Sequence, residues 1–381
     1  MKLYRWDCET NESKCFSKNK MGVFQMKSLK KCEILTLAGT RPEVIKLSEF
    51  VRQFDSDSHV YAYTGQHYSE NMKDIFFNEL DSKADLDLKC NTSDVEILRE
   101  KIEDLIAVLR PSLVIVYGDT HSSLAGALAA RDTKTRLLHI EAGLRSFDMR
   151  MPEERNRIKI DQLSNYLFCP TTLSREYLQF EDIKENVFVT GNLIVDVCKK
   201  FSETGLKASA DHSDDFLLLT IHRAENVDDL TSLKTLVTKL KEISHHKIIF
   251  PIHPRTRKNL LENKISLPEN VTTIDPVGYL DFLSLLKKSK LVLTDSGGVQ
   301  EEAAILKKPC ITLRHTTERW ETVLMGSNRL YPLFQNNENF ASVVESMLNV
   351  KIQNHPYGES VTAKTISAIK EILLESPKVC Y

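Results

Sequence analysis

The chain has 381 residues, more than one hydrophobic core normally organises, and its 51 basic and 53 acidic residues give a formal net charge of −2 at pH 7. This balance gives no electrostatic reason to expect nucleic acid or an anionic membrane surface as a partner. No apolar run approaches the ~18 residues of a membrane span, and the first 27 residues lack the apolar core of a signal peptide, so we expect a two-domain cytoplasmic protein.

The 8 cysteines give no indication of a metal site. None belongs to a C-x-x-C pair, and none clusters with histidine at the spacing of a zinc site. We therefore expect free, buried thiols in a reducing compartment and no bound metal.

The first half of the chain alternates between strand and helix patterns. A polar leader at 1–31, which we expect to be partly disordered, precedes a strand at 32–37 and a helix that begins with Pro42. Further strands are predicted at 59–64, 113–117, 136–140, 166–170 and 187–189, and helices at 70–80, 94–109, 122–131, 153–163 and 174–180. Such alternation is typical of a parallel sheet with helices on both faces.

A polar, aperiodic stretch at 199–215 is predicted to be a linker, after which the alternation resumes. Strands are predicted at 216–220, 247–252 and 271–274, helices at 230–244, 279–289 and 341–348, and a strand-turn-helix unit at 290–313. We therefore predict an α/β fold of two facing Rossmann-like domains, at 32–198 and 199–361, with the active site in a cleft between them. A last helix within 362–381 is expected to pack back on the first domain.

The turn at 294–298 carries the strongest local signal of a ligand. An apolar strand ends there in Thr-Asp-Ser-Gly-Gly, and a good helix-forming sequence follows at once. Unpaired amides at a helix N-terminus favour a phosphate, and paired glycines let a diphosphate approach the backbone. Ser296 as an ordinary N-cap is the competing interpretation. Glu301 or Glu302 is better placed to accept hydrogen bonds from a ribose.

Residues that follow the predicted strands are the candidates for chemistry, because ligands of parallel sheets bind beyond the carboxyl ends of the strands. The first domain offers Arg41, Lys46, Asp119, Glu141, Arg145 and a turn at 151–157 that contains Glu153 and Arg157; the second offers His222, Arg223, His253, Arg255 and the segments 296–302 and 317–319. Carboxylates with cations and a glycine turn fit a diphosphate-bearing substrate whose sugar meets proton-transfer groups. The absence of GxxxxGK[ST] and GxGxxG disfavours an ATPase or a nicotinamide enzyme.

Most of these candidates also have a purely structural interpretation. Asp119 and Glu153 suit a helix N-terminus, the histidines suit packing, and the arginines suit surface ion pairs. Glu141 is harder to explain in this way, since it directly follows an apolar strand and precedes Ala142-Gly143.

Ten short motifs, in order along roughly 32–358, resemble those of the non-hydrolysing UDP-N-acetylglucosamine 2-epimerases. They are GTRPE at 39–43, GQH at 65–67, YGDT at 117–120, HIEAGLR at 139–145, PEExNR at 152–157, VTGN at 189–192, HRAEN at 222–226, HPR at 253–255, DSGGVQEE at 295–302 and TER at 317–319. The resemblance implies a GT-B architecture, a homodimer, no metal or NAD, and interconversion of UDP-GlcNAc and UDP-ManNAc for surface polysaccharide synthesis.

The resemblance also assigns roles to residues. The acid/base candidates are Asp119, Glu141 and Glu153, assisted by His222; which carboxylate serves which face of the sugar stays open. The substrate-binding candidates are Arg41, Lys46, Arg157, His253, Ser296, Gly297, Gly298, Glu302 and Arg319.

The chain departs from the family's pattern at several points. Trp320 replaces a proline that usually follows the TER motif, so the path of that loop stays open. Gln66-His67 is followed by Tyr68-Ser69, without the second glutamine of members that bind UDP-GlcNAc as an activator. The stretches 145–152 and 277–280 also resemble epimerases of UDP-2,3-diacetamido-2,3-dideoxyglucuronate, which is the alternative substrate. A GT-B glycosyltransferase, a hydrolysing epimerase and a non-catalytic UDP-sugar sensor are the competing functions.

Overall fold

Two parallel β-sheets flanked by helices organise the protein in the computed structural model. The structure describes residues 5–6, 13–14, 31–54, 57–66, 79–202, 215–334, 336 and 338–374. The chain divides into two units, one comprising 1–144, 149–193 and 360–381 and the other 145–148 and 194–359. The predicted α/β class with two parallel-sheet domains is confirmed, while the domain limits 32–198 and 199–361 remain predictions.

Strands were expected wherever a short apolar run ends in a glycine or polar turn, and most occur there. In chain order the strands are β1 (Arg5–Trp6), β2 (Ser13–Lys14), β3 (Ile34–Ala38), β4 (His59–Tyr63), β5 (Leu86–Asp87), β6 (Leu113–Tyr117), β7 (Arg136–Ile140), β8 (Tyr166–Cys169), β9 (Val187–Val189), β10 (Leu217–Thr220), β11 (Ile248–Pro251), β12 (Val271–Ile274), β13 (Leu291–Thr294), β14 (Cys310–Thr312) and β15 (Asn328–Leu330).

Helices connect these strands. The described helices are α1 (Arg41–Arg52), α2 (Val95–Leu109), α3 (His121–Asp132), α4 (Pro152–Leu163), α5 (Thr172–Phe180), α6 (Ile194–Ser202), α7 (Ala224–Val227), α8 (Leu230–Glu242), α9 (Pro254–Glu262), α10 (Tyr279–Lys288), α11 (Gly297–Ile305), α12 (Trp320–Leu324), α13 (Phe340–Leu348) and α14 (Val361–Leu374). None of them is both long and apolar enough to cross a membrane.

The first unit contains a seven-stranded sheet in the order β5-β4-β3-β6-β7-β8-β9, and its neighbouring strands pair in parallel. The chain winds outward in one direction from β3 and in the other from β6, so the topological switch point lies between these two strands. Ligands of such sheets bind at this point, beyond the carboxyl ends of the strands. All five residues of β6 are buried, which explains why the sequence reads there as an uninterrupted apolar run. β1 and β2 form a separate antiparallel pair.

The last helix belongs to the first unit. α14 contacts α1, and Nη1 of Arg136 donates a hydrogen bond to the carbonyl oxygen of Ile372 at 3.2 Å. Its residues Ile366, Ile369 and Ile372 are buried at helical spacing, so one face of the helix is part of the core.

The second unit contains a six-stranded parallel sheet in the order β12-β11-β10-β13-β14-β15, with its switch point between β10 and β13. Successive residues of β13 enter opposite cores, as the period of a strand requires. Leu291 and Leu293 pack in one apolar cluster with Ile311, and Val292 packs in the other with Leu218.

Several elements differ from the sequence predictions. Residues 199–202, predicted as the start of a linker, form the end of α6, because Val197, Cys198 and Phe201 make one face of this helix apolar and buried. The helices α7, α9 and α12 and the strands β1, β2, β5, β14 and β15 were not predicted. Residues 70–78 of the predicted helix at 70–80, the linker from 203 to 214, and residues 1–30 of the leader apart from β1 and β2 lie outside the described residues.

Candidate active site

A buried carboxylate joins the two loops at the switch point of the first sheet. Oε2 of Glu43 accepts hydrogen bonds from the backbone N–H groups of Gly39 and Thr40 at 2.8 and 2.7 Å. Its Oε1 accepts from the hydroxyls of Thr120 and Ser123, both at 2.8 Å. Burial raises the pKa of Glu43, and these donors oppose that change. The loops after β3 and β6 are therefore held together by one side chain.

Glu141, the first residue after β7, combines an unusual backbone with a buried charge. Its φ of 75° lies in the left-handed region, which side chains larger than glycine rarely adopt. Its carboxylate pairs with Nζ of Lys46 at 2.5 Å, with side chains 7% and 8% exposed. The hydroxyl of Tyr117 donates to the same oxygen at 3.4 Å. Backbone strain of this kind clusters at functional sites, and a buried ion pair is weak evidence for stability alone.

The side chain of Glu141 lies close to Gly118, the residue that precedes Asp119. A Cβ at Gly118 would lie 3.1 Å from Oε2 of Glu141, and its φ of 67° also favours glycine. The glutamate side chain therefore rests against the loop that carries Asp119.

The N-terminal half of α4 holds the side chain of Asp119. Nη2 of Arg157 pairs with Oδ2 of Asp119 at 2.5 Å, and Nη1 of Arg157 pairs with Oε2 of Glu154 at 2.7 Å. Asn156 donates to the carbonyl oxygen of Asp119 at 2.9 Å. Arg157 is nearly buried at 4% exposure, whereas the Asp119 side chain keeps 25% of its surface exposed. The alternative interpretation of Arg157 as a weak surface ion pair is therefore wrong, and its predicted role in substrate binding stays a prediction.

Glu153 lies one helical turn before Arg157, so the two share a face of α4. Its side chain is partly exposed and makes no hydrogen bond or ion pair with any residue that the structure describes. Arg41 is the exposed first residue of α1. The first unit thus assembles Lys46, Asp119, Glu141 and Arg157 at the carboxyl edge of its sheet.

In the second unit, Asp295 orders the loop after β10. This fully buried carboxylate accepts hydrogen bonds from the backbone N–H groups of His222 and Arg223, at 3.0 and 2.8 Å, and from Nδ2 of Asn226 at 3.2 Å. The His222 side chain is 46% exposed, so it is not a packed core histidine. Its ring centroid lies 6.1 Å from that of His253.

His253 caps α9, since its Nδ1 accepts a hydrogen bond from the backbone N–H of Arg255 at 3.2 Å. Partial burial is the main cause that lowers the pKa of His253, and the nearby His222 and Arg255 act in the same direction. A neutral, exposed imidazole therefore lies beside His222 at the carboxyl edge of the second sheet.

The glycine turn after β13 is the start of α11, which begins at Gly297 rather than at the predicted Val299. The two glycines have different surroundings. A Cβ at Gly297 would lie 2.2 Å from Oε1 of Glu318, whereas a Cβ at Gly298 would meet no atom within 4 Å. Ser296 occupies the N-cap position, and its side chain makes no capping hydrogen bond. Gly297 therefore packs against the Glu318 carboxylate, and Gly298 leaves space for an approaching ligand.

The segment 317–319 is fixed against α11. Thr317 donates to Oε1 of Gln300 at 2.6 Å, and Nε of Arg319 pairs with Oε1 of Glu301 at 2.6 Å. Arg319 precedes α12, in which Trp320 is the first residue. The proline that the family usually has here would also suit the first position of a helix. Trp320 takes that position in this chain, and the helix begins at the same place. Arg319 is buried in this ion pair, and its contact with substrate remains a prediction.

Glu302 differs from Glu301 in its environment. It is nearly buried, at 7% exposure, and lies beside the hydroxyl of Tyr279. Burial, with Cys198 and Glu302 nearby, raises the pKa of Tyr279. Binding of a ribose by Glu302 remains a prediction.

One group of potential metal ligands occurs among the described residues. Nε2 of His245 and Nε2 of His246 lie 3.0 and 2.8 Å from Oε1 of Glu345. The two histidines precede β11, at the amino ends of the strands, and so lie at the opposite edge of the sheet from Gly298. They take no part in the candidate site.

Sequence reasoning missed several residues that shape the site. Glu43, His139 and Tyr117 occur in the sequence motifs, but the sequence predicted no role for any of them. Asp161 received none either, although it follows Arg157 by four residues on α4 and therefore shares its face. That spacing is the one signal in the sequence that could have identified it.

A model of the UDP-N-acetylglucosamine 2-epimerase family matches residues 52–371. The UDP-N-acetylglucosamine 2-epimerase of Methanocaldococcus jannaschii is 45% identical over 358 residues, covering 87% of this chain and 97% of that protein. The UDP-2,3-diacetamido-2,3-dideoxy-D-glucuronate 2-epimerase of Pseudomonas aeruginosa is 43% identical over 312 residues, covering 78% and 88%. The crystal structure of the M. jannaschii UDP-GlcNAc 2-epimerase in complex with UDP-GlcNAc and UDP matches with a TM-score of 0.81 at 43% identity, covering 89% of this chain and 99% of that one.

Proposed function

Because the chain belongs to the UDP-N-acetylglucosamine 2-epimerase family, a family of isomerases, we propose that it interconverts UDP-GlcNAc and UDP-ManNAc. The observation that supports this most directly is the buried pair of Glu141 and Lys46 beside the Asp119–Arg157 pair. Two carboxylates, each paired with a cation at the same edge of a sheet, are suited to proton transfer next to a departing anion.

The reaction needs more than a base. The hydrogen on carbon 2 of the sugar has negligible acidity, so a base alone cannot remove it. As the bond between carbon 1 and UDP breaks, positive charge develops at carbon 1 and acidifies that hydrogen. Anti elimination then gives 2-acetamidoglucal, UDP and one proton. Return of a proton to the opposite face of carbon 2, with addition of UDP to carbon 1, completes the inversion.

Three carboxylates of the first domain are assigned to these proton transfers. Glu141 has the most strictly held position, through Lys46, and Asp119 is oriented by Arg157. Glu153 is a carboxylate without a described partner, and so is the least constrained of the three. Each lies at or near the carboxyl edge of the sheet.

Departure of the diphosphate requires positive charge and hydrogen-bond donors. In our proposal Lys46, Arg157 and Arg41 supply charge from the first domain. The second domain offers the amides at the start of α11 and the imidazole of His222 as donors to a nucleotide. The open space at Gly298 supports this assignment, because a phosphate can reach the helix amides there.

The proposal is tested by incubating the protein with UDP-GlcNAc in deuterated water and following the sugar by NMR. We expect formation of UDP-ManNAc with deuterium at carbon 2 of both sugars. Absence of exchange and of UDP-ManNAc would exclude this substrate. Release of free ManNAc and UDP would instead identify a hydrolysing enzyme, and transfer to an added acceptor a glycosyltransferase.

A second substrate is supported by the similarity to the P. aeruginosa relative, which is 43% identical. Because this value is close to that of the M. jannaschii relative, overall identity does not separate the two substrates. The same exchange experiment with UDP-2,3-diacetamido-2,3-dideoxyglucuronate, compared by kcat/KM, decides between them.

We further propose a homodimer located in the cytoplasm, as the family resemblance implies. Light scattering of the purified protein should give a mass near twice 43.6 kDa. A mass near 43.6 kDa at assay concentrations would refute the dimer.

A further inference from the structure

A histidine and an aspartate without solvent exposure lie directly behind the proposed acid/base groups. Nδ1 of His139, in β7, lies 2.6 Å from Oδ1 of Asp161, in α4, and both side chains are 0% exposed. Nε2 of the same ring lies 2.8 Å from the carbonyl oxygen of Gly118. Both nitrogens of the ring are therefore engaged by oxygen atoms.

The identity of these oxygens determines where the hydrogens of the ring must be. A backbone carbonyl oxygen can only accept, so Nε2 of His139 must donate to Gly118. A carboxylate also accepts, so an ionised Asp161 requires a hydrogen on Nδ1, whereas a protonated Asp161 would donate its hydrogen to Nδ1. In both forms one hydrogen links Nδ1 to Oδ1 across 2.6 Å, and Nε2 donates to Gly118.

The second oxygen of the aspartate extends the network to a third segment. Oδ2 of Asp161 accepts a hydrogen bond from the backbone N–H of Gly143 at 3.2 Å. Gly143 has a φ of 78°, and a Cβ there would lie 2.3 Å from the carbonyl oxygen of Ser174, so this close approach requires glycine. The backbone two residues after Glu141 is thus fixed by the same carboxylate.

The pair also anchors α4 at the level of the site. Glu153, Arg157 and Asp161 follow one another at intervals of four residues, which places them along one face of the helix. Through Asp161 this face is bound to β7, and through Arg157 it is bound to Asp119.

We propose that His139 and Asp161 act as a positioning pair for the epimerisation, setting the backbone of Gly118 and Gly143 and hence the places of Asp119 and Glu141. This inference rests on the proposed function. Neither residue touches substrate in this proposal. Their contribution is to hold two carboxylates at a fixed spacing while protons are moved, and a displacement of ~1 Å in such a group can cost about 10²-fold in rate.

A purely structural role predicts a different outcome, namely lost stability with unchanged turnover. The chain provides a matched control in His59, a second buried histidine of the first sheet, 4% exposed. Its Nε2 lies 2.8 Å from the hydroxyl of Thr36, at the amino half of the strands and away from the loops of the site. His59→Gln therefore removes a buried imidazole without touching the proposed network.

The experiment compares His139→Gln, Asp161→Asn, the double variant and His59→Gln with the wild type. We expect kcat for each single variant of the pair to fall by about 10²-fold while KM changes by less than about threefold, since the substrate-binding groups remain. The double variant should resemble the single ones, because residues that act as a unit are not additive. His59→Gln should keep kcat within about twofold of the wild-type value, even if its unfolding midpoint falls as far as those of the His139 and Asp161 variants.

The protonation of the ring is measured separately in ¹⁵N-histidine-labelled wild type, where Nε2 of His139 should carry hydrogen. A folded Asp161→Asn enzyme with wild-type kcat, independent effects of the two substitutions, or an unprotonated Nε2 would each overturn the proposal. If the variants do not fold, the NMR experiment decides. A wild type that turns over no UDP-sugar would refute the proposed function, and the ring protonation would still test the pair.

Discussion

At the scale of single residues, Glu141 and Lys46 have to be understood as a pair. Each alone would be a buried charge, which costs several kcal/mol in the protein interior. Their 2.5 Å contact offsets this cost only while both are present. A substitution of one partner therefore changes both stability and chemistry, and the two effects must be separated.

We predict that Glu141→Gln abolishes turnover, lowering kcat at least about 10²-fold, and reduces the free energy of unfolding by about 3 kcal/mol because Lys46 loses its partner. The double variant Glu141→Gln/Lys46→Met should regain most of that stability and none of the activity. Urea unfolding and the deuterium exchange assay measure the two quantities. Recovery of activity in the double variant would remove Glu141 from the mechanism.

A second residue, Glu321, should make stability depend on pH. Burial raises its pKa to about 7 from an ordinary value of 4.5, and Tyr357 donates a hydrogen bond to its Oε1 at 2.9 Å. The folded protein therefore keeps a proton that the unfolded chain releases near pH 4.5. The associated stability is present below that pH and is lost as pH rises through about 7.

Between pH 5 and pH 8 the wild type should lose about 2 to 3 kcal/mol more than Glu321→Gln, which cannot ionise. Urea unfolding of both proteins at the two pH values gives this difference. Parallel loss of stability in the two proteins would show that Glu321 is ionised in the folded state throughout this range.

At the scale of elements, the two glycines at the start of α11 have different surroundings, and we expect one to serve packing and the other binding. Gly297 lies against Glu318, and Gly298 lies against open space, although the sequence presents them as one Gly-Gly unit. The two alanine variants should therefore behave differently.

Gly298→Ala should leave the unfolding midpoint unchanged or higher, because alanine stabilises a helix by up to about 1 kcal/mol relative to glycine. Its Kd for UDP should rise at least about tenfold if the diphosphate approaches there. Gly297→Ala should instead lower the unfolding midpoint, because the Cβ displaces Glu318. Calorimetric titration with UDP and thermal unfolding test both. Wild-type UDP affinity in Gly298→Ala would exclude the turn as the phosphate site.

At the scale of the whole molecule, the two ends of the chain should differ in importance. The polar leader at 1–31 precedes the first sheet, and the family match begins at residue 52. The C-terminal helix α14, in contrast, contributes three buried isoleucines and a hydrogen bond from Arg136 to the first unit.

We predict that a chain starting at residue 31 keeps its kcat and its unfolding midpoint. A chain ending before α14 should be insoluble or unfold at a much lower temperature, because it exposes the apolar surface under Ile366 and Ile369. Light scattering, thermal unfolding and the epimerisation assay compare the two truncations with the full chain. Loss of activity on removal of the leader would contradict its interpretation as dispensable.

Local patterns in the sequence determined the class of fold. Apolar runs of four to six residues ending in glycine or polar turns predicted most strands of both sheets, since burial on both faces leaves little alternative at those positions. The ten motifs determined the family for the same local reason. The helices α6, α7, α9 and α12 were missed, because short helices lie there beside turns or polar stretches.

Only the tertiary structure decided which side chains meet. Glu141 and Lys46 are 95 residues apart, and the register of a parallel sheet, not any local pattern, brings them together. The same holds for Arg157 with Asp119 and for His139 with Asp161, because such pairs depend on how α4 lies against β6 and β7. The sequence by itself therefore determined most strands of the two sheets, the glycine turn and the family, while the pairing of buried charges was decided by packing between distant segments.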